Sequence, residues 1–121
     1  MIPLDPAYLV GTGGAVGALC RTYVSQRVDS ETYPFGTLAV NVLGSFVLGL
    51  VTFAGASEEI LLFLGTGACG SFTTFSSFSF ETVRLVEQGE SAAAAANAIV
   101  NLLGSLAAIG VAWLVVRTVL G

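Results

Sequence analysis

Between Gly70 and Phe80 the chain reads Gly-Ser-Phe-Thr-Thr-Phe-Ser-Ser-Phe-Ser-Phe. Six hydroxyl residues (Ser71, Thr73, Thr74, Ser76, Ser77 and Ser79) stand among four phenylalanines. One Ser or Thr in an apolar helix satisfies itself by bonding back to a carbonyl a turn earlier. Six in eleven residues exceed that need and describe a lined path or site. Phe72, Phe75 and Phe78 recur every third residue, so on a helix they drift slowly around one side. Their ring edges carry the positive rim of the aromatic quadrupole. Asn97, Asn101 and Ser105 follow at i, i+4 and i+8, one face of one helix, and Asn41 adds another amide. Amides and hydroxyls donate hydrogen bonds to an anion without carrying charge.

The missing residues narrow the chemistry further. There is no His, so no Ser–His or Cys–His nucleophile arrangement exists. Glu81 and Asp5 fall near the ends of apolar stretches, and no acid lies deep within one. Cation pathways and proton relays usually show an intramembrane carboxylate. Arg21 is the one ionised group expected inside. Neutral donors, ring edges and a nearby Arg together favour a small anion. Cys20 and Cys69 read as small apolar residues. Gly67 and Gly70 precede the hydroxyl cluster, and a helix break near Gly70 would free carbonyls for a cation or donors for an anion.

The elements that must carry these residues follow from the charge pattern. The chain has 121 residues, 55% hydrophobic and 10% charged, with 4 Arg, no Lys and 8 acids. An ordinary soluble domain has roughly 25% charged residues. So few cations also exclude the basic face that nucleic acid requires. Charge-free windows span 26 residues (32–57), 21 residues (60–80) and 26 residues (91–116), with a shorter one of 15 (6–20). A bilayer-crossing helix needs about 20 apolar residues. The pattern predicts an all-α integral membrane protein with four transmembrane helices at about 5–26, 36–55, 60–82 and 93–119. The first lacks the basic start and greasy centre of a cleaved signal peptide. Pro3 and Pro6 before the first helix and Pro34 before the second suit helix starts, and Ser91 suits an N-cap. Small residues spaced by four (Gly13/Gly17, Ser45/Gly49, Gly104/Ala108) predict close helix packing in lipid. Arg27 and Arg84 lie on one side and Arg117 on the other, a bias weak enough to suit insertion in both directions.

Three stretches carry a resemblance. Gly13-Gly14-Ala15-Val16-Gly17-Ala18-Leu19-Cys20-Arg21 resembles the first-helix signature of the CrcB/Fluc fluoride ion channel family. Phe35-Gly36-Thr37-Leu38-Ala39-Val40-Asn41-Val42-Leu43-Gly44-Ser45-Phe46 resembles its second-helix motif, and the run from Gly70 to Glu81 its third. The three stand in family order and at family spacing.

The resemblance implies a third helix broken mid-membrane and a homodimer of four-helix subunits in antiparallel, dual-topology orientation, or a pairing with a paralogue. It implies two fluoride pores per dimer and passive export across the cell membrane that relieves fluoride toxicity. It also implies a structural sodium ion held by the backbone carbonyls of Gly70 and Thr73. Phe75 and Phe78 would be the pore rings and Asn41 the second-helix pore amide. Ser76 and Ser77 would begin a polar track that Asn97, Asn101 and Ser105 continue. Arg21 would serve the vestibule. Asn97 stands where the family often has Tyr, Asn101 where it has a small hydroxyl, and Ser71 where a second Gly is common. The rival reading is a small dual-topology multidrug transporter, which would need a first-helix Glu that this chain lacks.

Overall fold

The computed structural model describes residues 4–121, which form helices joined by short turns with no strand among them; Pro3 lies outside the described residues. Helix α1 runs Pro6–Val28 and α2 runs Phe35–Phe53. The third rod is composite: a turn α3 (Glu58–Ile60), a π-helical stretch π1 (Leu61–Cys69), a turn α4 (Gly70–Phe72) and α5 (Ser76–Glu87). Helix α6 runs Ser91–Leu120. Three of these rods, Phe35–Phe53, Glu58–Glu87 and Ser91–Leu120, are long and apolar enough to cross a membrane. With 23 residues α1 is about 34 Å long. It is not among the three apolar rods; it carries Arg21, Arg27 and a run of glycines.

Local chemistry sets the ends. Asp5 caps α1, its carboxylate accepting from the Ala7 amide at 2.8 Å beside Pro6. Ser57 caps α3, accepting from the Ile60 amide at 3.4 Å. The cap expected at Ser91 is corrected: Ser91 is already helical, and Glu90 precedes the helix without a side-chain cap. The main chain closes that turn instead, with the Ala94 amide donating to the Glu90 carbonyl at 2.9 Å. The sequence also predicts plain α-helix through 61–69, where π1 forms. Its wider turns bond i to i+5.

The molecule is apolar outside and small or polar inside. Leu19, Leu102, Leu103, Leu106 and Val119 are exposed, whereas Gly13, Gly17, Thr37, Asn97 and Asn101 are buried. A surface of that kind suits lipid, where helices associate by close packing rather than by hiding grease. Helix α1 lies along π1 and α4, and α2 lies along α6. Gly17 makes the first contact possible: a Cβ there would collide with the Ala68 carbonyl oxygen and the Ser71 hydroxyl. Gly44 on α2 does the same for the third rod, since a Cβ would strike the Thr73 methyl group. Opposite ends of the bundle each hold an Arg stacked on an aromatic ring four residues earlier. Arg27 sits 4.9 Å from the Tyr23 ring and Arg117 sits 5.0 Å from the Trp113 ring.

Candidate functional site

The third rod breaks at Thr73–Phe75, not at Gly70 as its glycines suggest; Gly70 is helical. Thr73 turns extended, with φ −80° and ψ 161°. The cause lies on another helix. The Thr74 amide donates to Asn41 Oδ1 at 2.8 Å, and Asn41 Nδ2 donates back to the Thr74 carbonyl at 3.1 Å. One side-chain amide thus satisfies both main-chain groups of a residue that has left the helix, as buried backbone requires. Downstream, the Thr74 hydroxyl accepts from the Ser77 amide at 3.1 Å and starts α5.

Around the break lies a groove of about 410 Å³. It brings together Asn41, Asn101, Ser105, Phe75 and Phe78, with Gly70 and Thr73 at its wall. The two rings are 5.8 Å apart between centroids and inclined at 49°. Phe75 is 80% exposed, so the groove opens on the outer face of the single chain. Other residues of the expected site lie elsewhere. Ser77 and Arg21 line a neighbouring polar pocket of about 290 Å³, shared with Thr37, Thr74 and Glu81. Ser76 is exposed, its hydroxyl 3.3 Å from that of Thr74. Asn97 has no exposed surface and touches neither cavity wall.

The structure adds residues that sequence reasoning did not assign to the site. Thr82 receives the Asn97 amide at 2.9 Å. Thr37 donates to Glu81 Oε1 at 3.0 Å and ties α2 to α5, while Glu81 Oε2 is buried and receives no hydrogen bond. The signal for Thr82 in the sequence is its spacing from Phe78, one helical turn apart. Without knowing what packs opposite, that spacing names no partner.

The break also frees main-chain oxygens. In an unbroken helix the Thr74 amide would donate to the Gly70 carbonyl and the Ser77 amide to the Thr73 carbonyl. Both donors are diverted, to Asn41 and to the Thr74 hydroxyl. Among the described residues there is no cluster of three His, Cys, Asp or Glu side chains. A cation at this place would therefore meet neutral carbonyl oxygen, the donor type that hard cations accept.

Residues 8–113 match the family described as CrcB-like protein, Camphor Resistance (CrcB). The chain is 59% identical to fluoride-specific ion channel FluC 2 of Haloarcula marismortui, over 98% of this chain and all of the relative. It is 52% identical to FluC 1 of Halobacterium salinarum, over 92% and 93% of the two chains. Identity to FluC 3 of Methanosarcina acetivorans is 42%, over 88% and 96%. By length, order and identity this chain belongs to the CrcB/Fluc family, a family of ion channels and not of enzymes.

Proposed function

We propose that the chain is a fluoride-selective passive channel that lets fluoride leave the cell and so relieves its toxicity. The observation that carries this reading is the meeting of Phe75, Phe78 and Asn41 on one groove at a helix break, in a chain whose relatives bear the name of fluoride channels. All four rods cross the cell membrane, α1 packing Gly13 and Gly17 against π1 and α4 and turning Arg21 into the polar pocket beside Thr37 and Glu81. Two copies pair in antiparallel orientation, or one copy pairs with a paralogue, and two pores result. The exposed ring of Phe75 and the open groove give the partner subunit a surface to complete.

Fluoride is small and holds its water tightly, so a pore must replace that water with donors. The edges of Phe75 and Phe78 and the hydroxyl of Ser105 line the groove, and Asn41 and Asn101 stand in its wall with their amide N–H groups bonded within the protein. Ser77 leads to it from the side of Arg21, the exposed Ser76 stands beside Thr74, and Asn97 stands behind the track. None of the groove residues is charged, and a channel must bind its ion weakly enough to release it. A structural sodium ion fits the freed carbonyls of Gly70 and Thr73. One chain offers too few oxygens, and a two-fold partner doubles them. Sodium there would neutralise oxygens that the break leaves without donors.

The test is fluoride efflux from liposomes holding purified protein, read with a fluoride electrode. Flux should follow the electrical gradient with no proton gradient present; a strict need for protons would favour the small-transporter reading. Phe75→Ile and Phe78→Ile should each cut efflux about tenfold, equivalent to a loss of about 1.4 kcal/mol. Unchanged rates would remove both rings from the route.

A further inference from the structure

Asn41, Asn101 and Asn97 are bonded to one another in that order. The Thr74 main-chain N–H can only donate, so the Asn41 atom facing it is the oxygen, at 2.8 Å. That choice turns Asn41 Nδ2 toward Asn101, which must answer with its own oxygen at 3.1 Å. Asn101 Nδ2 then points to Asn97 and meets both its side-chain and main-chain oxygens at 2.9 Å. Asn97 Nδ2 is left to donate to Thr82 Oγ1 at 2.9 Å, and the Thr82 hydroxyl donates to the Phe78 carbonyl at 2.7 Å. From Thr74 to Phe78 each residue donates to the next, and the one bond in the opposite sense is that from Asn41 Nδ2 back to the Thr74 carbonyl. A flip of Asn41 or Asn101 would set donor against donor and oxygen against oxygen, and a flip of Asn97 would set its Nδ2 against that of Asn101.

The line begins on the third rod, crosses to α2 and then α6, and returns to the third rod. Its two ends are the residue at the break and the carbonyl of a groove phenylalanine. Its middle is buried, with Asn97 wholly enclosed and Asn101 6% exposed, and its ends at Thr74 and Thr82 are half-buried. In such surroundings aligned hydrogen bonds polarise one another and strengthen together.

We infer that Asn97 and Asn101 are positioning residues, which together with Asn41 and Thr82 form a one-way hydrogen-bond relay fixing Thr74 relative to Phe78. The relay holds the break and the Phe75–Phe78 pair in one arrangement. The ion does not touch Asn97, and the amide acts through Asn101 and Asn41. The inference deepens the channel reading and rests on it for its flux measurement, though not for its spectroscopic one.

The experiment records the Thr74 amide resonance in lipid-reconstituted, isotope-labelled protein, together with fluoride efflux. Thr82→Val removes the last donor of the relay, eight residues beyond Thr74. The Thr74 proton resonance should move upfield as its own hydrogen bond weakens, and efflux should fall about fivefold, the value of roughly one hydrogen bond. Thr82→Ser keeps the hydroxyl and should restore both. Asn101→Ser cuts the relay in the middle without adding bulk, and should give the same shift if Thr82→Val does not fold. On an Asn97→Leu background Thr82→Val should lower efflux no further, as expected of residues that act in series. A Thr74 resonance unmoved by Thr82→Val and by Asn101→Ser would overturn the relay. Should wild-type protein carry no fluoride, the channel reading fails, and the Thr74 resonance still decides the relay.

Discussion

The third rod is joined to its neighbours in two contrasting ways. Along π1 and α4 it meets α1 through absent side chains: Gly13 faces the Phe63 carbonyl, and Gly17 faces the Ala68 carbonyl and the Ser71 hydroxyl. Past the break it meets α2 and α6 through amides: Asn41 holds Thr74, and Asn97 holds Thr82. The first seam is backbone against backbone and tolerates no added atom. The second is a set of directional bonds that tolerates a change of volume better than a change of polarity. One half of the rod serves as a fixed post, and the other is hung from it in a defined orientation. The residues proposed to meet fluoride sit where the two regimes join.

The sharpest way to break this contrast is Gly17→Leu. Its side chain would have to displace main-chain atoms of π1, which cannot give way as a flexible side chain would. Overpacking typically costs about 1–3 kcal/mol, occasionally more, and this site should fall at the upper end. The expected result is protein that unfolds early in detergent or fails to purify as a single species. A variant with wild-type thermal unfolding would show that the seam has slack.

Asn41→Leu should come next. It keeps similar volume and removes the partner of two main-chain groups, the Thr74 N–H and C=O. Each unsatisfied buried group costs about 1–3 kcal/mol. The break should then relax toward helix, with the Thr74 amide returning to the Gly70 carbonyl and recovering part of that loss. The variant should therefore stay folded while losing fluoride efflux, so that function falls further than stability. Equal losses of both would mean that the amide seam is only packing.

Much of this arrangement is legible in residue spacing, and the remainder is not, for identifiable reasons. Apolar windows mark the rods because lipid demands long uncharged stretches. Asn97 and Asn101 mark a shared face because a helix repeats every 3.6 residues. The break, however, is set by Asn41, thirty-three positions before Thr74, while the glycine that points to Gly70 is local. Sequence reasoning sees the weak spot in the helix, and tertiary hydrogen bonding decides where it opens. The π-helical turns of Leu61–Cys69 are hidden for a related reason. Residues of this kind fit either winding, so the sequence alone does not distinguish them.

The finest test compares the two seams through one hydroxyl that lies at their junction. Ser71 donates to the Gly14 carbonyl at 2.7 Å and to the Ala68 carbonyl at 3.3 Å. It is a polar bond placed inside the steric seam. Ser71→Ala deletes the donor while leaving the small volume that Gly17 needs, and Gly14 lies within the continuous helix α1. The lost contribution should be about 0.5–1 kcal/mol, the low end for a hydrogen bond whose acceptor keeps a partner. Thermal unfolding should shift slightly and fluoride efflux should stay at the wild-type rate, because neither Thr74 nor the phenylalanine pair hangs from Ser71. An efflux loss on the scale of the Asn41 variant would place part of the orienting function in the α1 seam. The third rod would then have to be treated as one coupled unit.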